Sequence, residues 1–472
     1  MLLECASMRL SVILILLAAV PLAQADVIVL KNGKRIVVDT AREQNGRIQY
    51  EVGDNTFAIS KNLVDRIEAG AAGGTVPRSQ TAPPEFTPND TITISEDLST
   101  KLVHDGKVDL EMLAALDKSS DQQTAASAYF RAAKFEQDHG NPDKAARYYG
   151  LALGHAPNSD IILDHYASLL IQIGRGEEAV SMAERSTRIA PKSGDAWMVL
   201  GFAYYAADRD EDAIEAWKKS EEIRPDPTVK KYLAKAQRDK EAQANFQQRD
   251  SGHFTIRYEG HRVPDSLSNS ILQTLETHYD DFASQFNVSP RTIPVILYTD
   301  QAFFDVTQSP SWTGAVNDGK IRIPVSGLTL VTPELSRILR HELAHTFINQ
   351  ISRGKCPQWL HEGIAQVLEG RSSAPYGRIL SKLYANDHEV PMYLLESSFL
   401  TLDKEEASVA YVQSLAVTEY IRDTYGMDDI RRILQKIGEG SSTEAAVRTT
   451  VHSGYSQLER EVGHYLANRY GT

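Results

Sequence analysis

Two short stretches carry side chains whose types and spacing could do chemistry: His341-Glu342-Leu343-Ala344-His345, and Pro357-Gln358-Trp359-Leu360-His361-Glu362-Gly363-Ile364-Ala365. Residues four apart on an α-helix share one face, about one turn apart. Two imidazoles at that spacing can reach a single zinc ion with Zn–N bonds of about 2.0–2.1 Å. Glu342 sits beside the first imidazole and cannot join the same ligand face. Its carboxylate can instead take a proton from a water on the metal. Glu362, seventeen residues after His345, offers a third ligand. Three protein ligands leave one position open, which is the pattern of a catalytic zinc site. The expected centre is therefore Zn2+ held by His341, His345 and Glu362, with Glu342 as general base.

The flanking residues predict the helices that must position these groups. Thr332 is suited to N-cap, Pro333 to the first helical position and Glu334 to the first turn. Leu335, Leu339, Leu343 and Phe347 recur every four residues as an apolar stripe, and His341 and His345 lie off it. Gly354 and Pro357 end this helix, and a second runs roughly from Gln358 to Glu369 before Gly370. Two helices joined by a short break can return Glu362 to the histidines.

The same residues resemble the gluzincin metallopeptidases, specifically a peptidase MA-like family that joins such a domain to helical repeats. The resemblance runs from about Ser251 to the C-terminus. It implies a zinc-dependent peptidase with His341, His345 and Glu362 as ligands and Glu342 as base. It also implies an edge strand pairing with an extended substrate, for which Trp312 to Val316 and the strand after it are the candidates. Gln366, one turn after Glu362, falls where relatives often carry an acidic residue behind the ligands. His361 falls where they often carry Asn, and reads as a neighbouring surface or outer-layer residue. By the same resemblance a donor in the C-terminal helices could stabilise an oxyanion. Tyr411 is the candidate, set against a plain packing role for its ring.

Upstream, Pro157, Pro191 and Pro225 recur every 34 residues. So do Ala145, Ala179 and Ala213, then Ala133, Ala167 and Gly201, then Gly140, Gly174 and Asp208. Tyr129 and Trp197 hold the large aromatic position. This period resembles the tetratricopeptide repeat and predicts an all-α solenoid of three helix pairs across about 124–227, within a helical region at 95–250. Such arrays usually bind a peptide or protein partner. Residues 26–69 read as short strands with Gly-containing turns, expected to form a small all-β SH3-like barrel. Residues 70–94, rich in Gly and Pro, read as a disordered linker. From 251 to 472 the pattern is α+β and zincin-like with a helical C-terminal part. Strands are expected near 253–258, 292–298 and 320–325, the last at a sheet edge because of Pro324.

The first residues read as a cleavable signal peptide over 1–25: Arg9, an apolar run from Leu10 to Val20, then Ala23-Gln24-Ala25. Export to a bacterial periplasm follows as the expectation. Cleavage would leave Cys356 as the remaining cysteine, so no intramolecular disulfide is expected. A net charge of −13 over 472 residues argues against a nucleic-acid partner. The apolar run at the start is too short for a comfortable membrane span. Besides a peptidase, two functions fit: a non-catalytic envelope adaptor working through the repeats, and an amidase of cell-wall peptides using the same zinc chemistry.

Overall fold

The computed structural model describes residues 26–31, 35–38, 40–44, 47–52, 55–61, 64–68, 78–79 and 86–471, the last range apart from 105, 291, 308–313, 326, 398 and 400–403. The expected signal peptide, Trp312 and Thr313 lie outside the described residues.

Six strands open the described chain: β1 (Asp26–Leu30), β2 (Arg35–Val38), β3 (Thr40–Gln44), β4 (Arg47–Val52), β5 (Asn55–Ser60) and β6 (Val64–Glu68). They form two antiparallel three-stranded sheets, in the orders β2-β1-β6 and β3-β4-β5. Ile28, Ile48 and Val64 make the small core of this module. The expected SH3-like barrel is corrected to this pair of sheets among the described residues. β2 and β3 follow each other closely yet pair in different sheets, so no continuous ladder runs around the module.

Part of the expected linker, residues 78–79 and 86–94, lies among the described residues. Arg78–Ser79 form β7, which pairs in parallel with a strand of the sheet that lies mainly within residues 247–324. Residues 86–94 run extended against the repeats. Phe86 is buried and stacks on Phe202 at 4.1 Å, while Ile92 and Ile94 pack on the first repeat's core. Composition alone had suggested too little apolar surface to fold. One aromatic anchor and an alternating pair of isoleucines prove sufficient when a preformed surface receives them.

Two short helices, α1 (Glu96–Leu102) and α2 (Leu110–Asp117), flank a two-stranded hairpin of β8 (Val103–His104) and β9 (Lys107–Val108). The array follows as three helix pairs: α3 (Gln122–Asp138) with α4 (Pro142–His155), α5 (Asp160–Gln172) with α6 (Gly176–Ile189), and α7 (Gly194–Ala206) with α8 (Asp210–Ile223). The 34-residue series now have physical causes. Ala145, Ala179 and Ala213 are fully buried between helices. A Cβ on Gly201 would meet the Trp217 ring at 2.3 Å, so only glycine lets those helices approach. Gly140, Gly174 and Asp208 occupy the turn inside each pair with φ of 77°, 74° and 58°, the left-handed region that glycine enters freely. Helix α9 (Pro227–Ala242) closes the array.

The largest sheet among the described residues has the order β10-β11-β12-β14-β13-β7. β10 (Gln247–Asp250) was not anticipated, because its four residues are all polar. It is an edge strand, where solvated side chains are ordinary. β11 (Phe254–Tyr258), β12 (Ile293–Tyr298) and β14 (Ile321–Pro324) run parallel, and β13 (Val316–Asn317) is antiparallel to β14. β14 is thus an inner strand, not the expected edge. Pro324 is tolerated because β13 pairs only as far as Arg322. Helices α10 (Asp265–Phe286), α11 (Asp300–Thr307), α12 (Pro333–Ser352), α13 (Gln358–Leu368) and α14 (Gly377–Ala385) follow, then α15 (Lys404–Tyr425), α16 (Met427–Gly438), α17 (Thr443–Val451) and α18 (Tyr455–Tyr470). One large core joins β11, β12 and β14 to α10, α12, α13 and the C-terminal helices. No helix among the described residues is long and apolar enough to cross a membrane.

The array lies lengthwise on this domain. A Cβ at Gly140 would strike Gly440 Cα at 2.5 Å, and Arg353 pairs with Asp143 at 2.7 Å. Lys320 bonds both Asp208 and Asp210, and Arg257 also pairs with Asp208. Beneath these contacts Arg322, with no exposed surface, bonds Asp239 of α9, Asp318 and the Tyr298 hydroxyl.

Candidate metal centre

Helix α12 begins as its residues require. The Thr332 hydroxyl accepts from the Leu335 amide at 3.1 Å and Pro333 fills the first turn. It ends where Arg353 and Gly354 both adopt positive φ, 54° and 72°. The chain then reverses and Pro357 opens α13. The turn between the helices sets α13 beside α12 and points Glu362 at the histidines. Gly363 permits this arrangement from the other side. A Cβ there would lie 2.1 Å from Thr418 Oγ1 and 2.5 Å from the Ser414 carbonyl of α15.

His341, His345 and Glu362 each offer a ligand atom within 4.8 Å of the others. His341 Nε2 stands 3.7 Å and His345 Nε2 3.9 Å from the two Glu362 oxygens. Tetrahedral ligands on bonds of about 2.0–2.1 Å are separated by roughly 3.3–3.4 Å, so a small closure completes the site. All three residues and Glu342 are fully buried. His341 Nε2, both ring nitrogens of His345, both Glu342 oxygens and Glu362 Oε2 have no hydrogen-bond partner. Buried polar atoms are normally satisfied, so this cluster of orphans fits a bound cation. Among the described residues it is the one group of three such side chains that could hold an ion.

Neighbouring side chains hold these groups in place. Glu369 Oε1 lies 3.3 Å from His341 Nδ1 and is itself paired with Arg371 Nε at 2.9 Å. His361 is buried, stacks on His345 at 4.4 Å and bonds Asn349 Oδ1 at 3.2 Å. It is therefore an inner neighbour of a ligand, not a surface residue. Gln358 Nε2 donates to Glu362 Oε1 at 3.1 Å. Asn317 of β13 donates from one amide to the Glu342 carbonyl at 2.7 Å and to Thr346 Oγ1 at 2.8 Å. Sequence reasoning missed Glu369 and Asn317. It offered Gln366 for the acidic position, but that amide donates to the backbone carbonyls of Glu362 and Tyr411 and anchors α13 to α15.

The electrostatics follow from burial against carboxylates. Burial alone would depress His341, but the Glu362 and Glu369 carboxylates overcome it and push its pKa up to about 10. A dication taken up here competes with that proton. Burial pushes Glu342 up to about 8, against the pull of the His341 charge. A dication held beside it would oppose that rise and favour the ionised carboxylate that a general base requires. Burial, then the neighbouring His361 and His341, hold His345 well below the ordinary imidazole range. Burial and His341 also push His361 down to about 3.

The remaining candidates are placed as follows. Tyr411 lies on α15, and its ring meets Phe399 edge-on at 5.1 Å. Cys356 carries a free thiol, partly buried against the large C-terminal core. Val316 lies in β13, which packs beside α12 and is paired with β14 on one side and β7 on the other.

Comparison with known proteins agrees with this division of the chain. Residues 284–468 match the family model described as Peptidase MA superfamily. The small glutamine-rich tetratricopeptide repeat-containing protein 2 of Mycosarcoma maydis is 36% identical over 91 residues, 19% of this chain and 26% of that protein. The chain thus covers only that 26% of the relative's length. Among solved structures, the first TPR domain of human RPAP3 is 18% identical with a TM-score of 0.23, over 24% of this chain and 89% of that one. The first TPR of Spaghetti (RPAP3), bound to an HSP90 peptide, is 18% identical with a TM-score of 0.25, over 25% and 94%. The Sgt2 TPR domain of Aspergillus fumigatus is 25% identical with a TM-score of 0.24, over 27% and 83%. The chain joins a region similar to the Peptidase MA superfamily to helical repeats similar to tetratricopeptide repeats.

Proposed function

We propose that the protein is a zinc-dependent peptidase of gluzincin type that hydrolyses peptide bonds. The observation that carries this reading is the buried trio of His341, His345 and Glu362, with the orphaned Glu342 carboxylate beside it. Zinc held by the trio would polarise a scissile carbonyl and acidify a water. Glu342 accepts the proton of that water and returns it to the departing amine. Glu369 orients His341, and His361 stacks on His345 and keeps its ring in place. Asn317 holds the Glu342 turn of α12 against β13, along which the substrate backbone extends. Tyr411 donates to the oxyanion. The repeats bind the protein substrate or a protein partner. The chain is exported to a bacterial periplasm after cleavage before Asp26.

Elemental mass spectrometry of the purified protein is expected to give near one zinc per chain, lost in His345→Ala. Glu342→Gln is expected to keep the zinc and lose at least roughly a hundredfold in peptide hydrolysis. Unchanged hydrolysis in that variant rules out Glu342 as the base. An N-terminus at Asp26 in a periplasmic fraction checks the location.

A further inference from the structure

The extended residues 86–94 lie on one face of the array, the face built by the first helix of each pair. Phe86 stacks on Phe202 of α7. Asn89 Nδ2 and the Asp90 amide both donate to the fully buried Asp195 carboxylate at the start of α7, at 3.0 and 2.7 Å. The Asp90 carbonyl bonds His165 Nε2 of α5 at 2.9 Å, and Ile92 and Ile94 pack on the core that contains α3. The segment therefore passes from α7 to α5 and on to the core of the first repeat, as a bound peptide would. It uses an aromatic anchor, a side-chain amide and two backbone groups. Arg78–Ser79, just upstream in the chain, pair with Val316 and Asn317. That is the strand edge beside the candidate metal centre, tied by Asn317 to the Glu342 carbonyl.

We propose that residues 86–94 are a cis ligand of the repeat face, and that by docking there they hold Arg78–Ser79 on the edge of β13. The two surfaces that could receive an external polypeptide are then both occupied by this chain and open together. The part concerning β13 as a substrate edge rests on the peptidase reading above. The occupant that competes is an extended peptide with an aromatic residue followed, three and four positions later, by Asn-Asp.

The test uses the full chain, its Phe86→Ala and Asn89→Ala variants, and a labelled synthetic peptide of residues 86–94. A tethered segment competes at an effective concentration of roughly millimolar, so the parent is expected to bind the peptide weakly. Burying one phenylalanine corresponds to about a tenfold effect or more. Each variant is therefore expected to bind the peptide at least about tenfold more tightly than the parent. Amide exchange at Val316 and Asn317 is expected to quicken in both variants. Equal binding by parent and variants overturns the cis ligand. Tighter binding with unchanged exchange at β13 overturns the coupling of the two surfaces. Agreement of two variants, each with parent-like helix content, separates release from unfolding. Neither readout requires metal or turnover, so loss of the peptidase reading through Glu342→Gln leaves both outcomes interpretable.

Discussion

Glu369→Gln tests whether the carboxylate behind His341 tunes the metal centre. Glu369 Oε1 is buried and 3.3 Å from His341 Nδ1. Loss of such an outer partner typically costs roughly 10–100-fold in metal affinity, or about 1.4–2.7 kcal/mol. The sign varies with pH in a way the structure dictates. Glu369 and Glu362 also hold a proton on His341, which keeps its pKa near 10 against burial. The carboxylate therefore strengthens both the dication and the competing proton, and strengthens the dication more because it carries twice the charge. The affinity gap between parent and variant is expected to be largest at alkaline pH and to narrow as pH falls. Chelator-competition titrations with zinc from pH 6.5 to 9 read both effects. Gln366→Leu is the control. Its amide bonds only backbone carbonyls, so affinity is expected to move by less than about threefold. A Glu369→Gln protein with the parent's affinity and the parent's pH slope refutes the argument.

Three further outcomes are expected. Gly363→Ala forces a methyl to within 2.1 Å of Thr418 Oγ1, which costs about 1–3 kcal/mol; an unchanged denaturation midpoint counts against the close approach of α13 and α15. Arg322→Met leaves the buried Asp239 and Asp318 without their shared guanidinium and costs about 3–5 kcal/mol. Adding Asp239→Leu should recover part of that loss in denaturant unfolding, and no recovery contradicts the pairing. Asp318 is held well below the usual carboxylate range because Arg322 and Lys235 outweigh its burial. A depressed folded pKa contributes stability above the unfolded value near about 3.9, which is lost as pH falls through the folded pKa. Asp318→Asn should therefore show a flatter fall in stability below about pH 4 than the parent, and an identical acid slope would exclude the linkage.

The grouping of His341 with His345 was legible because helix periodicity is local: residues four apart share a face, and the capping signals at Thr332 and Pro333 bound their helix. Glu362 was legible because Gly354 and Pro357 mark a reversal. Glu369 was missed by looking one turn beyond Glu362, at Gln366, when seven residues also return to the same face. A carboxylate two turns after a ligand glutamate was a usable signal. Asn317 had none, since its partners stand 25 and 29 residues away in an element only two residues long. Within the expected linker, Phe86, Ile92 and Ile94 form an apolar pattern that finds a receiving surface on the repeats.

Asp208 shows how the repeats and the site depend on each other. The periodic pattern places glycine at Gly140 and Gly174, and both turns have positive φ. Asp208 takes the same conformation at φ 58°, which costs an L-residue about 1–2 kcal/mol. Its carboxylate accounts for the exception. It pairs with Arg257 of β11 and with Lys320 beside β14, a lysine almost without exposed surface. Below that contact Arg322 binds α9 through Asp239 and grips Asp318, the residue after Asn317. Asn317 in turn donates to the Glu342 carbonyl. A series of polar contacts thus runs from the last repeat turn to the helix turn that carries Glu342. Charges this deep would be costly if either partner withdrew. The array is therefore held in one place on the sheet, and its orientation is part of what keeps β13 against α12.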